Sequence, residues 1–154
     1  NPTNGAYFFT AFESEAQAVV DNNPVWEYQG PVFEVEYGPA EGNLPVYRFL
    51  NTKVGAHFFT MNEAEKASVI ANLSHQYQYE GVAFYARADQ LPYDAANPSG
   101  VASYPIWRCY LPQTSSHYFT ANYEEVRYIQ ENVDRSLIYV EGIAWYSGRI
   151  FDVP

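Results

Sequence analysis

The sequence is poor in cysteine and in basic residues. Among its 154 residues there is a single cysteine, Cys109, which excludes an intramolecular disulfide and zinc sites built from several cysteines. Only 8 residues are Lys or Arg, against 18 Asp or Glu, so the formal charge is -10. Because no basic cluster offsets this charge, binding to nucleic acid or to an anionic membrane surface has no electrostatic basis.

Several other signals are missing. No stretch approaches the roughly 20 apolar residues of a membrane-spanning helix, so we expect no membrane insertion. The opening Asn-Pro-Thr-Asn-Gly has neither the basic nor the apolar region of a signal peptide. The motifs of zinc hydrolases, nucleophile-elbow hydrolases and nucleotide-binding enzymes are absent. We therefore expect no catalytic residues, no cofactor and no metal, although carboxylate pairs for glycoside hydrolysis have no fixed spacing and stay open.

Aromatic residues are abundant, and most of them belong to an internal repeat. The chain has 15 Tyr, 10 Phe and 3 Trp, and 47% of its residues are hydrophobic, as expected of a compact globular protein. Residues 45–60, PVYRFLNTKVGAHFFT, match residues 105–120, PIWRCYLPQTSSHYFT, and residues 1–10, NPTNGAYFFT, match residues 51–60. We predict a single domain, 1–154, with copies at about 1–36, 44–86 and 104–147 and a C-terminal tail, 148–154.

Each copy predicts two strands, a short helix and a third strand. VYRFL and AHFFT are rich in aromatic and β-branched residues and flank an Asn/Thr/Gly stretch, which is typical of a hairpin. Thr10 and Thr60 precede Glu13 and Glu63 by three residues, the capping-box spacing that predicts a helix start. The helices are expected to end near an asparagine in each copy, at Asn22, Asn72 and Asn132.

The predicted fold class is α+β: three β-β-α-β repeats packed with pseudo-threefold symmetry, mostly β with short helices. A unit of this size cannot bury its aromatic face alone, so the copies must pack against one another. The first copy lacks the leading strand PVYRF. We expect the tail, GRIFDVP, to pair beside the first copy and to supply that strand.

The combined pattern resembles a known family. PVYRF(Y/L)N, then GxHF(Y/F)T, an acidic helix and YEGVAFYA are similar to a tyrosine-rich repeat family of unknown function, found in bacterial and fungal secreted or surface proteins. Such repeats are often attached to secreted wall-active hydrolases. The resemblance covers most of the chain and implies a targeting or glycan-binding role at a secreted or cell-surface location. It supplies no catalytic residue.

A set of polar residues recurs between copies. The recurrent residues are Arg48, His57 and Glu80 in the second copy and Arg108, His117 and Glu141 in the third. The first copy has Tyr7 and Gln29 at the histidine and glutamate positions, and this joint replacement indicates that the two side chains touch. One interpretation is a buried hydrogen-bonded network. The other is a ligand pocket in each repeat, with flat aromatic faces for a sugar ring at Tyr47, Tyr85, Trp107 and Tyr146.

Residues outside the core pattern are weaker candidates. Tyr37, Tyr93 and Tyr104 lie in or beside connections and could be exposed stacking platforms or ordinary loop packing. Asp89, Asp94 and Asn97 lack the regular spacing and distal glutamate of a calcium loop.

The sequence therefore predicts a non-catalytic, lectin-like module that binds a glycan or cell-wall polysaccharide through repeated sites. The alternative is a structural or protein-interaction domain whose recurrent Arg, His and Glu only hold the fold together. A polysaccharide-acting hydrolase is the third possibility.

Overall fold

The structure is a computed structural model and describes residues 1–91 and 103–151. In chain order the elements are α1 (Glu13–Asn22), β1 (Asn43–Asn51), β2 (Ala56–Thr60), α2 (Glu63–Asn72), β3 (Tyr77–Arg87), β4 (Tyr104–Leu111), β5 (Ser116–Thr120), α3 (Tyr123–Asn132) and β6 (Tyr139–Ser147). The protein is thus mostly β with three short helices, as the α+β prediction required. Among the residues described, no helix is long and apolar enough to cross a membrane.

The strands form one antiparallel sheet in the order β2-β1-β3-β6-β4-β5. In the second copy β1 lies between β2 and β3, and in the third copy β4 lies in the same way between β5 and β6. The register also recurs, because Arg48 lies opposite Phe59 and Gly81, as Arg108 lies opposite Phe119 and Gly142. The second and third copies therefore have the predicted β-β-α-β structure.

The first copy is different. Within residues 1–36, α1 is the one regular element, and the predicted strands are reduced to isolated bridges at Phe33 and Glu36. The prediction that this copy, apart from its missing leading strand, forms the strands of the repeat is therefore wrong. The physical reason is that the leading strand is the central one in each complete unit, so the two flanking segments lack their common ladder partner.

The tail supplies the beginning of that missing strand. Ile150 bridges Phe33 in antiparallel fashion, and the Glu34 N–H donates to the Arg149 carbonyl at 2.9 Å. The pairing has the register of the complete copies, where Phe84 lies opposite Val46 and Trp145 opposite Ile106. The expected pairing of the tail holds for residues 149–151, and residues 152–154 lie outside the described residues.

The helix starts differ from the predicted capping box. The N-caps of α2 and α3 are Asn62 and Asn122, whose side chains accept from the backbone N–H groups two and three residues ahead. Thr60 instead accepts from the N–H of Asn62 at 3.0 Å, and so turns the chain before the cap. The capping-box prediction is therefore wrong, because Asn62 and Asn122 already fill the capping positions. The helices end at the three predicted asparagines.

Two triangles of aromatic rings form the centre of the core, and each triangle takes one residue from every sequence copy. Phe9, Phe59 and Phe119 meet edge to face, with ring centroids 5.5 to 5.9 Å apart. Phe33, Phe84 and Trp145 form the second triangle, with centroids 5.5 to 6.3 Å apart. Within each copy the two rings stack on each other. Edge-to-face contacts are favoured by the aromatic quadrupole, so the triangles fix how the copies approach one another.

We predict that Asn122→Ala lowers the free energy of unfolding by about 1 kcal/mol, because two N–H groups at the start of α3 lose their acceptor. The matched control is Asn132→Ala at the exposed end of the same helix, where one side-chain bond to the Tyr128 carbonyl is lost. That change should stay within about 0.5 kcal/mol. Urea unfolding of both variants measures the difference, and equal effects would show that Asn122 does not act as the cap.

Candidate functional site

The recurrent arginine of the second copy lies at the junction with the first copy. The Nε of Arg48 donates to Glu80 Oε2 at 2.8 Å, which ties β1 to β3 within the copy. Its Nη1 and Nη2 donate to the carboxylate of Glu15 on α1, at 3.1 and 2.9 Å. The guanidinium therefore joins the sheet of one copy to the helix of the preceding one.

The arginine of the third copy repeats these contacts. The Nε of Arg108 lies 2.7 Å from Glu141 Oε2, and its Nη1 and Nη2 donate to Glu65 on α2 at 3.0 and 3.1 Å. Glu15 and Glu65 were absent from the residues predicted for the site. Their signal was available, since each follows the repeat threonine, Thr10 or Thr60, by five residues.

An aromatic ring of the preceding copy completes each junction. The Arg48 guanidinium lies 5.0 Å from the ring centre of Phe8, and Arg108 lies 5.2 Å from that of Phe58. The same rings contact the histidines, because Phe8 lies 4.7 Å from His57 and Phe58 lies 5.0 Å from His117. The contacts between guanidinium and ring are cation–π interactions, which hold the planar cation without adding a further charge to the junction.

The histidine of the second copy is held in its neutral form. Its Nε2 lies 3.4 Å from Glu80 Oε2, which assigns the proton to Nε2, while the buried Nδ1 has no hydrogen-bond partner. Protonation would place an unpartnered N–H in the interior. Burial first, and the neighbouring Arg48 guanidinium second, lower the pKa of His57 from 6.5 to about 4. His117 Nε2 lies at the same 3.4 Å distance from Glu141.

Two carboxylates of the junctions, Glu15 and Glu141, have lowered pKa values. Burial acts to raise the pKa of Glu15, but hydrogen bonds from Arg48 and Thr10 outweigh it and lower that pKa. Glu141 behaves alike, because burial is outweighed by His117 and Arg108 and its pKa falls. Both junctions are therefore complete ion-pair networks at neutral pH.

The network leaves little of either arginine side chain accessible to a ligand. The side chains of Arg48 and Arg108 are 15% and 17% exposed, and Nε, Nη1 and Nη2 of both are engaged with carboxylates. This geometry favours the buried-network interpretation. A small pocket of about 240 Å³ lies beside Arg108, between Glu65 and Glu141. Ligand binding by the recurrent residues stays a prediction.

The predicted aromatic faces do not surround the ion pairs. Tyr47 packs with Phe49 and Phe58 in a second core cluster, and its hydroxyl donates to Glu63. Trp107 packs against Tyr123 at 6.2 Å. Tyr85 and Tyr146 lie opposite Pro45 and Pro105, three positions along the strands from the arginines.

The candidates in the connections between copies differ in their surroundings. Tyr37 is exposed and packs on Phe12 at 5.5 Å, and Tyr104 is exposed at the start of β4. Asp89 accepts from Arg87 at 3.0 Å. Tyr93, Asp94 and Asn97 lie outside the described residues.

The junction between the third and first copies has no arginine. Tyr7 replaces the histidine, and its ring lies 4.9 Å from that of Tyr118. The Tyr118 hydroxyl donates to the carboxylate of Glu125, at 3.1 and 2.9 Å from its two oxygens. No Lys or Arg in the part of the chain that the structure describes forms an ion pair with Glu125.

This third junction opens into a cleft of about 1200 Å³. This cleft lies between the first copy and residues 118–125 of the third. Gln29 is among the residues that line it. Its wall carries aromatic side chains, among them the half-buried Trp26 and Tyr28, which is 67% exposed. No described Lys, Arg or His lines the cleft. Five glutamates do: Glu13, Glu27, Glu34, Glu124 and Glu125. The repeat alignment could not reveal the cleft, because it arises where the repeat is incomplete.

Comparison with known families gives one match. The model of the family described as Domain of unknown function (DUF5648) matches residues 1–87 and again residues 75–151. The chain belongs to this family. The first match spans the first two copies, and the second runs from the turn between α2 and β3 through the third copy to the tail, so the family unit is longer than one copy. Neither the curated proteins nor the solved structures contain a match to the chain.

We predict that His57 stays neutral well below its ordinary titration range. Because its folded pKa of about 4 lies below the unfolded value, this histidine contributes stability above about pH 6.5 and loses it as the pH falls toward 4. An NMR titration of the His57 Cε1 proton should give a midpoint near 4. A His57 midpoint of about 6.5 would contradict the burial argument.

Proposed function

We propose that the chain is a non-catalytic module that binds a carbohydrate or cell-surface polymer. The observation that carries the proposal is the cleft, about 1200 Å³ in volume, with exposed aromatic rings on its wall. Aromatic faces pack well against the C–H faces of sugar rings, while carboxylates and the Gln29 amide can bond to hydroxyls. The binding site is thus the cleft, and the Arg–His–Glu networks act as its support.

The charge of the cleft narrows the ligand class. Its lining includes five glutamates and, among the described residues, no Lys, Arg or His, so a phosphorylated, sulfated or uronic-acid polymer would be repelled. A neutral polysaccharide is therefore the preferred ligand. A secreted or cell-surface location follows from this proposal and is supported by the resemblance to tyrosine-rich repeats of secreted bacterial and fungal proteins.

We also propose that the chain is one domain in which three copies pack about a pseudo-threefold axis. The two aromatic triangles support this, since each takes one ring from every copy. The junctions support it as well, because Phe8 meets His57, Phe58 meets His117 and Tyr118 meets Tyr7 in cyclic order.

Two observations support the absence of catalysis. Burial, with help from Glu125 and Glu141, raises the pKa of the Cys109 thiol to about 12, so no thiolate nucleophile exists at neutral pH. The Nε2 atoms of the recurrent histidines lie beside Glu80 and Glu141, which are themselves paired with the arginines, and not beside a serine or cysteine that they could activate. A glycoside hydrolase remains the competing enzyme class, since the cleft contains carboxylates.

The second candidate is a protein-interaction domain without a small ligand. It is favoured by the backbone of the first copy, which forms isolated bridges at Phe33 and Glu36 but no strand within residues 1–36. Exposed backbone of this kind can pair with an extended segment of another protein.

A matched pair of tyrosine variants tests the proposal. Tyr28→Ala removes a ring on the cleft wall, and Tyr128→Ala removes one that is 62% exposed on α3, away from the cleft. We expect the unmodified chain to bind a neutral wall polysaccharide on a glycan array. Tyr28→Ala should weaken that binding by about tenfold, and Tyr128→Ala should leave it unchanged.

Two results would contradict the proposal. The first is no glycan binding at millimolar concentration, and the second is equal loss in the two variants. Release of reducing sugar from a bound polysaccharide would instead assign the cleft to a hydrolase.

A further inference from the structure

The sequence contains one acceptor pattern for N-linked glycosylation. In secreted proteins an Asn-X-Ser/Thr triplet accepts such a glycan when X is not proline. Three triplets of this form occur, at 1–3, 72–74 and 97–99, and the first and the last have proline in the middle. Asn72-Leu73-Ser74 is therefore the one triplet of the sequence that meets the requirement.

The structure places this triplet on the surface, at the end of α2. Asn72 is the last residue of the helix, and Asn72, Leu73 and Ser74 are all exposed. The Leu73 N–H donates to the Val69 carbonyl at 2.9 Å, and the Leu73 carbonyl accepts from the Gln76 N–H at 2.9 Å. The turn is thus held by backbone bonds, and a group attached to the Asn72 side chain displaces none of them.

The Asn72 amide keeps a hydrogen-bond donor after it has been modified. Its Nδ2 donates to the Ser68 carbonyl at 3.1 Å and lies 3.3 Å from the Ser68 hydroxyl. An amide nitrogen of this kind has two hydrogens, and attachment of a sugar replaces one of them. The remaining N–H can still donate to the Ser68 carbonyl, and water replaces the other contact because both lie at the surface.

The other two copies have an exposed asparagine at the same helix position and lack the acceptor pattern. These residues are Asn22 at the end of α1 and Asn132 at the end of α3. Two positions further on, Pro24 and Asp134 stand where the second copy has Ser74. The protein therefore contains one acceptor and two matched non-acceptors in the same structural setting.

Two exposed apolar side chains lie next to Asn72. Ile70 is 44% exposed and Leu73 is 38% exposed, and the spacing of three residues places them side by side at the end of the helix. The third copy has Gln130 at the position of Ile70. A bulky hydrophilic group on Asn72 would cover this apolar pair, because a glycan at the surface extends over the neighbouring side chains.

We propose that Asn72 bears an N-linked glycan, which covers Ile70 and Leu73. The inference rests on the secreted location that accompanies the proposed function, and it assigns a modification instead of a ligand. Asn72 is not among the described residues that line the cleft, so the modification leaves the cleft open.

The donor is a lipid-linked oligosaccharide diphosphate. The bond from Nδ2 to the sugar C1 forms, and the bond from C1 to the diphosphate oxygen breaks. The lipid diphosphate leaves with the electron pair, and one amide proton passes to a base.

The test is the intact mass of the full chain after secretion from fungal host cells. Most molecules should be heavier by one oligosaccharide, which a peptide-N-glycosidase should remove. Asn72→Gln and Ser74→Ala should each abolish the added mass, and the second of these leaves the Asn72 side chain in place. Asn132→Gln is the matched control at the end of α3 and should keep the added mass.

A gain of modification is expected when the pattern is completed in the third copy. Asp134→Ser creates the triplet at Asn132 and should add a second oligosaccharide. An unmodified mass of the natural sequence, or a modification that survives Ser74→Ala, would overturn the proposal. Modification of Asp134→Ser at Asn132 alone would overturn it as well, because the host would then modify an exposed helix end and omit Asn72.

The covering of the apolar pair has its own measurement. Enzymatic removal of the oligosaccharide should lower the solubility of the chain, and Ile70→Gln should reduce that loss. Unchanged solubility after removal would contradict the covering role. Failure to bind a polysaccharide on a glycan array would contradict the proposed function and not this inference, since the modification is measured by mass alone.

Discussion

The guanidinium groups of Arg48 and Arg108 constrain the rest of the structure most strongly. A half-buried arginine cannot lose its charge, so counter-charges must reach it in a fixed geometry. One comes from the neighbouring strand of its own copy and one from the helix of the preceding copy. The aromatic triangles determine how closely the copies approach, whereas the arginines determine which helix lies over which sheet. The proposed binding cleft lies at the junction where this device is incomplete.

Much of this arrangement could be predicted from the sequence, because repeated positions have repeated contacts. The joint replacement of histidine and glutamate in the first copy correctly indicated that His57 touches Glu80 and that His117 touches Glu141. The helix ends at Asn22, Asn72 and Asn132 also followed from the pattern. Each of these features depends on local spacing or on identity between copies, and both are visible in one sequence.

Other features depend on tertiary neighbours and were missed for that reason. Glu15 and Glu65 are absent from the predicted site, since a glutamate in the first turn of a helix is normally solvated. Tyr47 and Trp107 adjoin the arginines in sequence, but successive residues of a strand point to opposite faces. The strands of the first copy did not form, because a ladder needs its central strand.

A double-mutant cycle between Arg108 and Glu65 tests the junction most directly, since these residues belong to different copies and are joined by two hydrogen bonds. The variants are Arg108→Met, Glu65→Gln and the double variant, and urea unfolding gives their stabilities. A coupling energy of about 1–3 kcal/mol is expected if the arginine joins the two copies. Additivity within about 0.5 kcal/mol would contradict this role, because the two side chains would then contribute independently.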